Sequence, residues 1–371
     1  MNKDYHQPYQ APRLGAAQIR LLERLCNVCA VSGEEAAVRK IVLEQVRPYA
    51  SEVKVDALGN VLALRPGQGS EPRLRVMVAA HMDEVGFMLT ADDENGLFRF
   101  AAVGGISASE LAGKPVWVGS ECLPGVIGAT PIHLAPPDER EQLLSMNALR
   151  VDVGPDNAKK VKVGDRATFA TRFARLGPSL LAKALDDRLG VASLIELLRQ
   201  SATLTNIDLL AAFTVQEEVG LRGAHVAAYT LDPDVAFVLD CTPARDLPPA
   251  DGEQGAENTR YNTRLGAGPA IYIADSATLS DPRLVQHLVR TAERLDIPYQ
   301  FRQPGGGGTD AGAIHKQRGG IPSVSISVPG RYLHTAAGMV RLQDWKNTLA
   351  LVHAALAHLS PDVLTNQGID Q

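Results

Sequence analysis

At 371 residues, with 45% hydrophobic and 21% charged side chains, the chain is long enough for two cores and has the composition of an ordinary globular protein. A net charge of −5 without any Lys/Arg run excludes an extended phosphate-binding face, so no nucleic acid partner is expected. No stretch approaches the ~18 apolar residues of a membrane helix, and the polar start MNKDYHQPYQAPRLG lacks the apolar core of a signal peptide, which predicts a cytoplasmic protein with no membrane partner.

The amphipathic run IRLLERLCNVCA predicts a first helix. It carries Cys26 and Cys29 at helical spacing, and buried thiols on a core-facing stripe are the expectation, because a lone C-x-x-C is a weak zinc or redox signal. With Cys122 and Cys241 the cysteines number four, too few for a disulfide scaffold. A second helix follows in SGEEAAVRKIVLEQV, where Ser32 and Glu35 fit a capping box. SEVKVDA, NVLALR and LRVMVAAHM then read as short strands.

From about residue 84 to 175 the texture changes. GFMLTAD and LFRFAAV predict a hairpin, and PVWVGS, GVIGAT, ALRVDVG and RATFATRF are short runs between Gly, Pro and Asp turns. A small all-β module, 84–175, therefore interrupts one α/β domain built from 1–83 and 176–371. In the second part helix and strand patterns alternate through RLGVASLIELLRQSA, IDLLAAFTV, GAHVAAYTL and VAFVLD. They continue through AIYIAD, DPRLVQHLVRTAERLD, YQFRQ, IPSVSISVP and DWKNTLALVHAALAHL. That alternation predicts a layered α/β domain with a central, mostly parallel sheet, whose sites gather at the carboxyl ends of its strands.

Acids and imidazoles sit at those ends. MVAAHMDEVG ends a strand with His81 and Asp83, which face one side of an extended chain. KALDDRLG sets Asp186 and Asp187 before a helix, TVQEE ends a strand with Glu217 and Glu218, VAFVLD ends with Asp240, and SVPGRYLHT presents His334. Singly, each has a plainer reading: an N-cap aspartate, a solvated turn, a hydrogen-bonded histidine. Together they form a carboxylate cluster that would repel itself without a cation. Oxygen and nitrogen donors with little thiol suit zinc, cobalt or manganese, two ions if one carboxylate bridges. If one of Glu217 and Glu218 binds metal, its neighbour is left to act as a base toward metal-bound water.

AHMDEVGFM, KALDDRLG, TVQEEVGLRGA, VLDCTPARD, GGTDAGAI and SVPGRYLHT, in this order, resemble the M42, or TET-type, metallo-aminopeptidases, and PGVIGATPIHL and LRVDVG extend the likeness into the β module. The resemblance implies a zinc-peptidase-like α/β catalytic domain interrupted by a PDZ-like or barrel dimerisation domain. It implies metal ligands His81, Asp186 (bridging), Glu218, Asp240 and His334, with Asp83 behind His81 orienting the ring and Glu217 as general base and acid. It further implies two divalent metals per subunit, zinc or cobalt with manganese possible. The reaction implied is removal of N-terminal residues from short peptides by a metal-bridging hydroxide, in dimers that build a dodecamer. The segment Ala336, Ala337, Gly338 departs from the family's usual Pro and Glu before Met339, without loss of any implied ligand.

Three other readings carry less. Paired carboxylates also serve glycosidases, but adjacent glutamates do not flank one bond, and the histidines are left without a duty. A non-catalytic metal-bound scaffold gives Glu217 nothing to do. QPGGGGTDAG lacks the Lys-Ser/Thr of a phosphate loop and presents Asp310 instead, a candidate to support a ligand or to bind the substrate's amine.

Overall fold

The computed structural model describes residues 9–131, 133–134, 143–204, 206–247, 263–302 and 305–365. Ile132 of PGVIGATPIHL and Gln303–Pro304 ahead of the glycines lie outside them. The chain opens with α1 (Ala16–Asn27), α2 (Ala36–Val46), β1 (Glu52–Val55), β2 (Val61–Arg65) and β3 (Leu74–His81). Six strands follow: β4 (Gly86–Asp92), β5 (Leu97–Val103), β6 (Pro115–Val118), β7 (Leu123–Gly128), β8 (Arg150–Asp152) and β9 (Arg166–Phe169). Then come β10 (Ala174–Leu176), β11 (Ser179–Ala182), α3 (Leu185–Arg199), β12 (Ile207–Thr214), α4 (Arg222–Leu231) and β13 (Val235–Pro243). The chain continues through β14 (Ala270–Tyr272), α5 (Pro282–Arg294), β15 (Gln300–Arg302), α6 (Ala311–Ile314), β16 (Ser323–Arg331), β17 (Gly338–Arg341) and α7 (Leu342–Ala357).

Among the described residues these strands make one eleven-stranded mixed sheet and one closed six-stranded barrel. The centre of the sheet is parallel, in the order β12-β3-β13-β16, and antiparallel strands flank it on both sides. The apolar runs read as central strands are continuous because these strands are covered on both faces. Val76, Val78 and Ala80 of β3, with Leu209, Ala211 and Phe213 of β12, face α1, α2, α3, α5 and α7. Met77 and Ala79, with Leu210 and Ala212, face α4 and α6. The parallel centre thus sends four strand ends to one edge.

The barrel runs β4-β5-β8-β7-β6-β9, antiparallel throughout. Phe87 anchors its own core, meeting Phe100 and Phe169 edge-on at 5.1 and 5.3 Å. The predicted hairpin is β4–β5.

Two local expectations are corrected. Ser32 does not form a capping box on α2: that helix starts beyond Glu35, and the Ser32 hydroxyl is committed to Asp83 at 2.6 Å. Cys29 does not share a helical stripe with Cys26. α1 ends at Asn27, leaving Cys26 buried and Cys29 half-buried in the loop beyond.

Candidate metal centre

Register explains why distant residues meet. Val238 of β13 lies beside Ala79 of β3, so two residues on, Asp240 lies beside His81, both on the α4/α6 face. Thr214, the last residue of β12, pairs with His81 from the other side. Beyond it the chain turns through Gln216, at φ 56, and delivers Glu217 and Glu218. Asp186 stands at the start of α3 in non-helical backbone, after Ala184 at φ 54. His334, also at positive φ, follows β16 by three residues. Left-handed backbone at non-glycine residues concentrates where side chains must be aimed.

The donor atoms converge. His81 Nε2 lies 3.2 Å from Asp186 Oδ1 and 3.8 Å from Asp240 Oδ1. His334 Nε2 lies 3.5 Å from Asp186 Oδ2 and 3.3 Å from Glu218 Oε2. Two three-residue groups result, His81–Asp186–Asp240 and Asp186–Glu218–His334, each with its ligand atoms within 4.8 Å of one another and both using Asp186. Each group combines imidazole nitrogen with carboxylate oxygen, a donor set suited to borderline divalent cations. A third group, Asp186–Asp187–Cys241, has no imidazole and also uses Asp186.

Each imidazole is held from behind. His334 Nδ1 lies 3.1 Å from the carbonyl of Gly105, in the barrel loop after β5, so in the neutral ring it is this nitrogen that donates and Nε2 that is left to face a cation. Gly104 beside it has φ +88, and a Cβ there would meet Val85 at 2.7 Å. His81 Nδ1 faces Asp83 Oδ1 at 3.4 Å. Asp83 itself accepts from the Ser32 hydroxyl and from the backbone N–H groups of Glu217 (3.0 Å) and Glu218 (3.2 Å). It therefore ties the histidine to the glutamate turn.

Crowded charge shows in the ionisation of the cluster. Burial, reinforced by the negative charge of Asp186, pushes Glu218 up to about 8 and Asp240 up to about 7. Burial opposes protonation of His334, but the bond to Asp186 and the Glu218 charge raise it to about 9. Burial also opposes ionisation of Asp186, yet bonds from His334 and His81 hold it well below the usual carboxylate range. Acids raised by burial and by one another fit a place built for a cation. Glu217, raised well above its ordinary value chiefly by burial, belongs to neither group and lines the cavity.

That cavity holds about 550 Å³ in front of His81, Asp186, Asp240 and His334. Asp310 is not among its lining residues: it is 1% exposed and accepts from Thr214 Oγ1 at 2.5 Å. The plain N-cap reading fits Asp187, whose Oδ1 accepts from Gly190 N at 2.9 Å. Reasoning from sequence missed Ser32, Thr214, Gly105 and Arg302 of the cavity wall. None carries a local signal.

A family model described as M42 glutamyl aminopeptidase matches residues 59–351. A putative aminopeptidase of Acetivibrio thermocellus is 35% identical over 340 residues, covering 91% of this chain and 97% of that one. The lysyl aminopeptidase of Pyrococcus furiosus is 32% identical over 353 residues, 92% of this chain and 97% of its own length. Among solved structures, the Pyrococcus horikoshii TET1 peptidase, described as able to assemble into a tetrahedron or a large octahedral shell, superposes with a TM-score of 0.80 at 32% identity. It covers 92% of this chain and 100% of that one. With fold, motif order and near-complete coverage all agreeing, the chain belongs to the M42 peptidase family.

Proposed function

We propose that the protein is a dinuclear metal-dependent aminopeptidase that removes N-terminal residues from short peptides. His81 and Asp240 would hold one divalent cation and Glu218 and His334 the other, with Asp186 shared between them. Zinc or cobalt suits these donors best, and manganese is compatible with them. Such ions, when bound, supply Lewis acidity toward a peptide carbonyl and lower the pKa of water to about 7. Glu217 takes the proton of the attacking water and delivers it to the departing amine, a role suited to a buried carboxylate raised above its ordinary range. Asp83 reacts with nothing. It fixes the His81 ring and the turn that presents Glu217.

One observation carries this reading: Asp186 is shared by two nitrogen-and-oxygen donor groups, while Glu217 opens on the same cavity and belongs to neither. The test is metal analysis of the purified protein with a panel of aminoacyl-anilides, before and after chelation and metal return. Activity should vanish with the metal and come back with it. Glu217→Gln should keep both metals and lose at least about 100-fold in kcat. Near-normal turnover by that variant would remove Glu217 from its role.

The same reading assigns the β module, 84–175, to self-association into dimers and dimers to a dodecamer, in the cytoplasm. Among the described residues no helix is long and apolar enough to cross a membrane.

A further inference from the structure

The cavity in front of the histidine–carboxylate cluster is lined by several acids and by one arginine. Asp186, Glu217, Glu218 and Asp240 line the side nearest the cluster. The same cavity is lined by Arg302, the last residue of β15, which among the described lining residues is the one side chain with a permanent positive charge. It is 4% exposed. A guanidinium so far from bulk water is held only where the surrounding wall supplies hydrogen bonds to it.

The wall is so shaped. Arg302 Nε donates to Thr242 Oγ1 at 3.4 Å, one Nη donates to the Gly306 carbonyl at 2.7 Å, and the group lies 5.1 Å over the Tyr272 ring. Tyr272 is the register partner of Arg302 on the neighbouring strand β14. These three contacts fix the plane of the fork. Thr242 follows Asp240 by two residues on β13, about 7 Å along the strand, and faces the same side, so the guanidinium that donates to its hydroxyl lies beyond the cluster in the strand direction. A carboxylate three or four bonds from a carbonyl at the cluster would reach it.

From this geometry we infer that Arg302 receives a carboxylate of the peptide substrate and sets a preference for acidic substrates, an inference resting on the peptidase reading above. The carboxylate is either that of an N-terminal Asp or Glu side chain or the free terminus of a very short peptide. Family membership does not decide the matter, since the relatives are described as both glutamyl and lysyl aminopeptidases.

The test compares the metal-loaded wild type with Arg302→Met and Arg302→Lys on four substrates: glutamyl-anilide, leucyl-anilide, Leu-Gly and Leu-Gly-amide. Arg302→Met should lower kcat/KM by about 10- to 100-fold on the carboxylate-bearing substrates and leave leucyl-anilide and Leu-Gly-amide within about threefold. Arg302→Lys should restore part of the loss. A loss confined to glutamyl-anilide assigns the first side chain; one confined to Leu-Gly assigns the free terminus. Equal losses on all four substrates would make Arg302 a strut for the glycine loop and overturn the inference, as would no loss, or a wild type indifferent to both carboxylates. Calorimetric binding of L-glutamate and L-leucine to the same proteins separates this from the peptidase reading. If no substrate is cleaved, glutamate binding that weakens about tenfold or more in Arg302→Met still supports the inference, and unchanged binding overturns it.

Discussion

Asp83 touches no reacting atom, yet three parts of the centre depend on it. One of its oxygens accepts from Glu217 N and lies 3.4 Å from His81 Nδ1, and the other accepts from Glu218 N and the Ser32 hydroxyl. An asparagine of the same shape would present an N–H₂ to one of those donor sets, pushing away either the histidine or the turn. Asp83→Asn should therefore weaken metal binding or lower kcat by about 10- to 100-fold, with stability little changed. Competition against a chromophoric chelator, read beside single-substrate kinetics, checks it; full affinity with full kcat would leave Asp83 without a positioning duty. The residues at this scale divide by how they announce themselves. His81, Asp186, Glu218, Asp240 and His334 stand at strand ends or helix starts, where a charge is anomalous, so they are readable one segment at a time. Ser32 finds its partner 51 positions away and Gly105 finds His334 across 229, so neither residue type nor local pattern marks them. The Ser32 error is informative for that reason: S-x-x-E is a valid capping pattern, and a distant carboxylate outcompeted the helix for the hydroxyl.

Among the elements, the link between β12 and α4 does most to set the site, because Glu217 and Glu218 ride on it. Asn60, at the head of β2, clamps it from the side: its Oδ1 accepts from Val215 N at 2.9 Å and its Nδ2 donates to the Gly223 carbonyl at 3.0 Å. Gly223 N in turn donates to Val215 O at 2.9 Å. A Cβ on Gly223 would lie 2.3 Å from Asn60 Oδ1 and 2.4 Å from Val215 O, and neither atom can retreat without breaking the clamp. Gly223→Ala should cost roughly 1–3 kcal/mol in urea unfolding and lower kcat through a displaced Glu217. A variant as stable and active as the parent would show that the turn is held elsewhere. Elements themselves were largely readable where periodicity was strong: the central strands as unbroken apolar runs, α5 from Asp281 and Pro282 at its start, with Asp281 Oδ1 accepting from Arg283 N. The short strands β10, β11 and β17 at one side of the sheet were not, because three or four residues beside turns carry no period. Their pairing is decided by the sheet rather than by their own composition.

For the whole molecule the question is how a separately cored barrel can serve a site in the other domain. It supplies the Gly105 carbonyl that holds His334, so the two bodies must keep their relative position. A buried ionic hub at their junction does this. Glu84, 2% exposed just before β4, accepts from Lys183 Nζ at 2.8 Å, from Thr168 Oγ1 of barrel strand β9 at 2.9 Å and from Ala30 N at 2.9 Å. Lys183 also donates to the Val28 carbonyl at 2.7 Å, and Arg188 reaches Glu84 at 3.5 Å while donating to the carbonyls of Met82 and Asp83. The hub thus joins the loop after α1, the barrel, the end of β11 before α3 and the segment that carries Asp83. Such a pair need not raise net stability over an apolar replacement, but breaking it from one side leaves a buried charge. Lys183→Met should cost roughly 3 kcal/mol in guanidinium unfolding, and adding Glu84→Gln should recover part of that cost. In the single variant, activity at saturating metal should fall before global unfolding begins, as the barrel loosens and His334 loses Gly105. Parallel loss of activity and of the unfolding baseline would mean that the junction and the core yield together, and that the hub does not couple barrel to site.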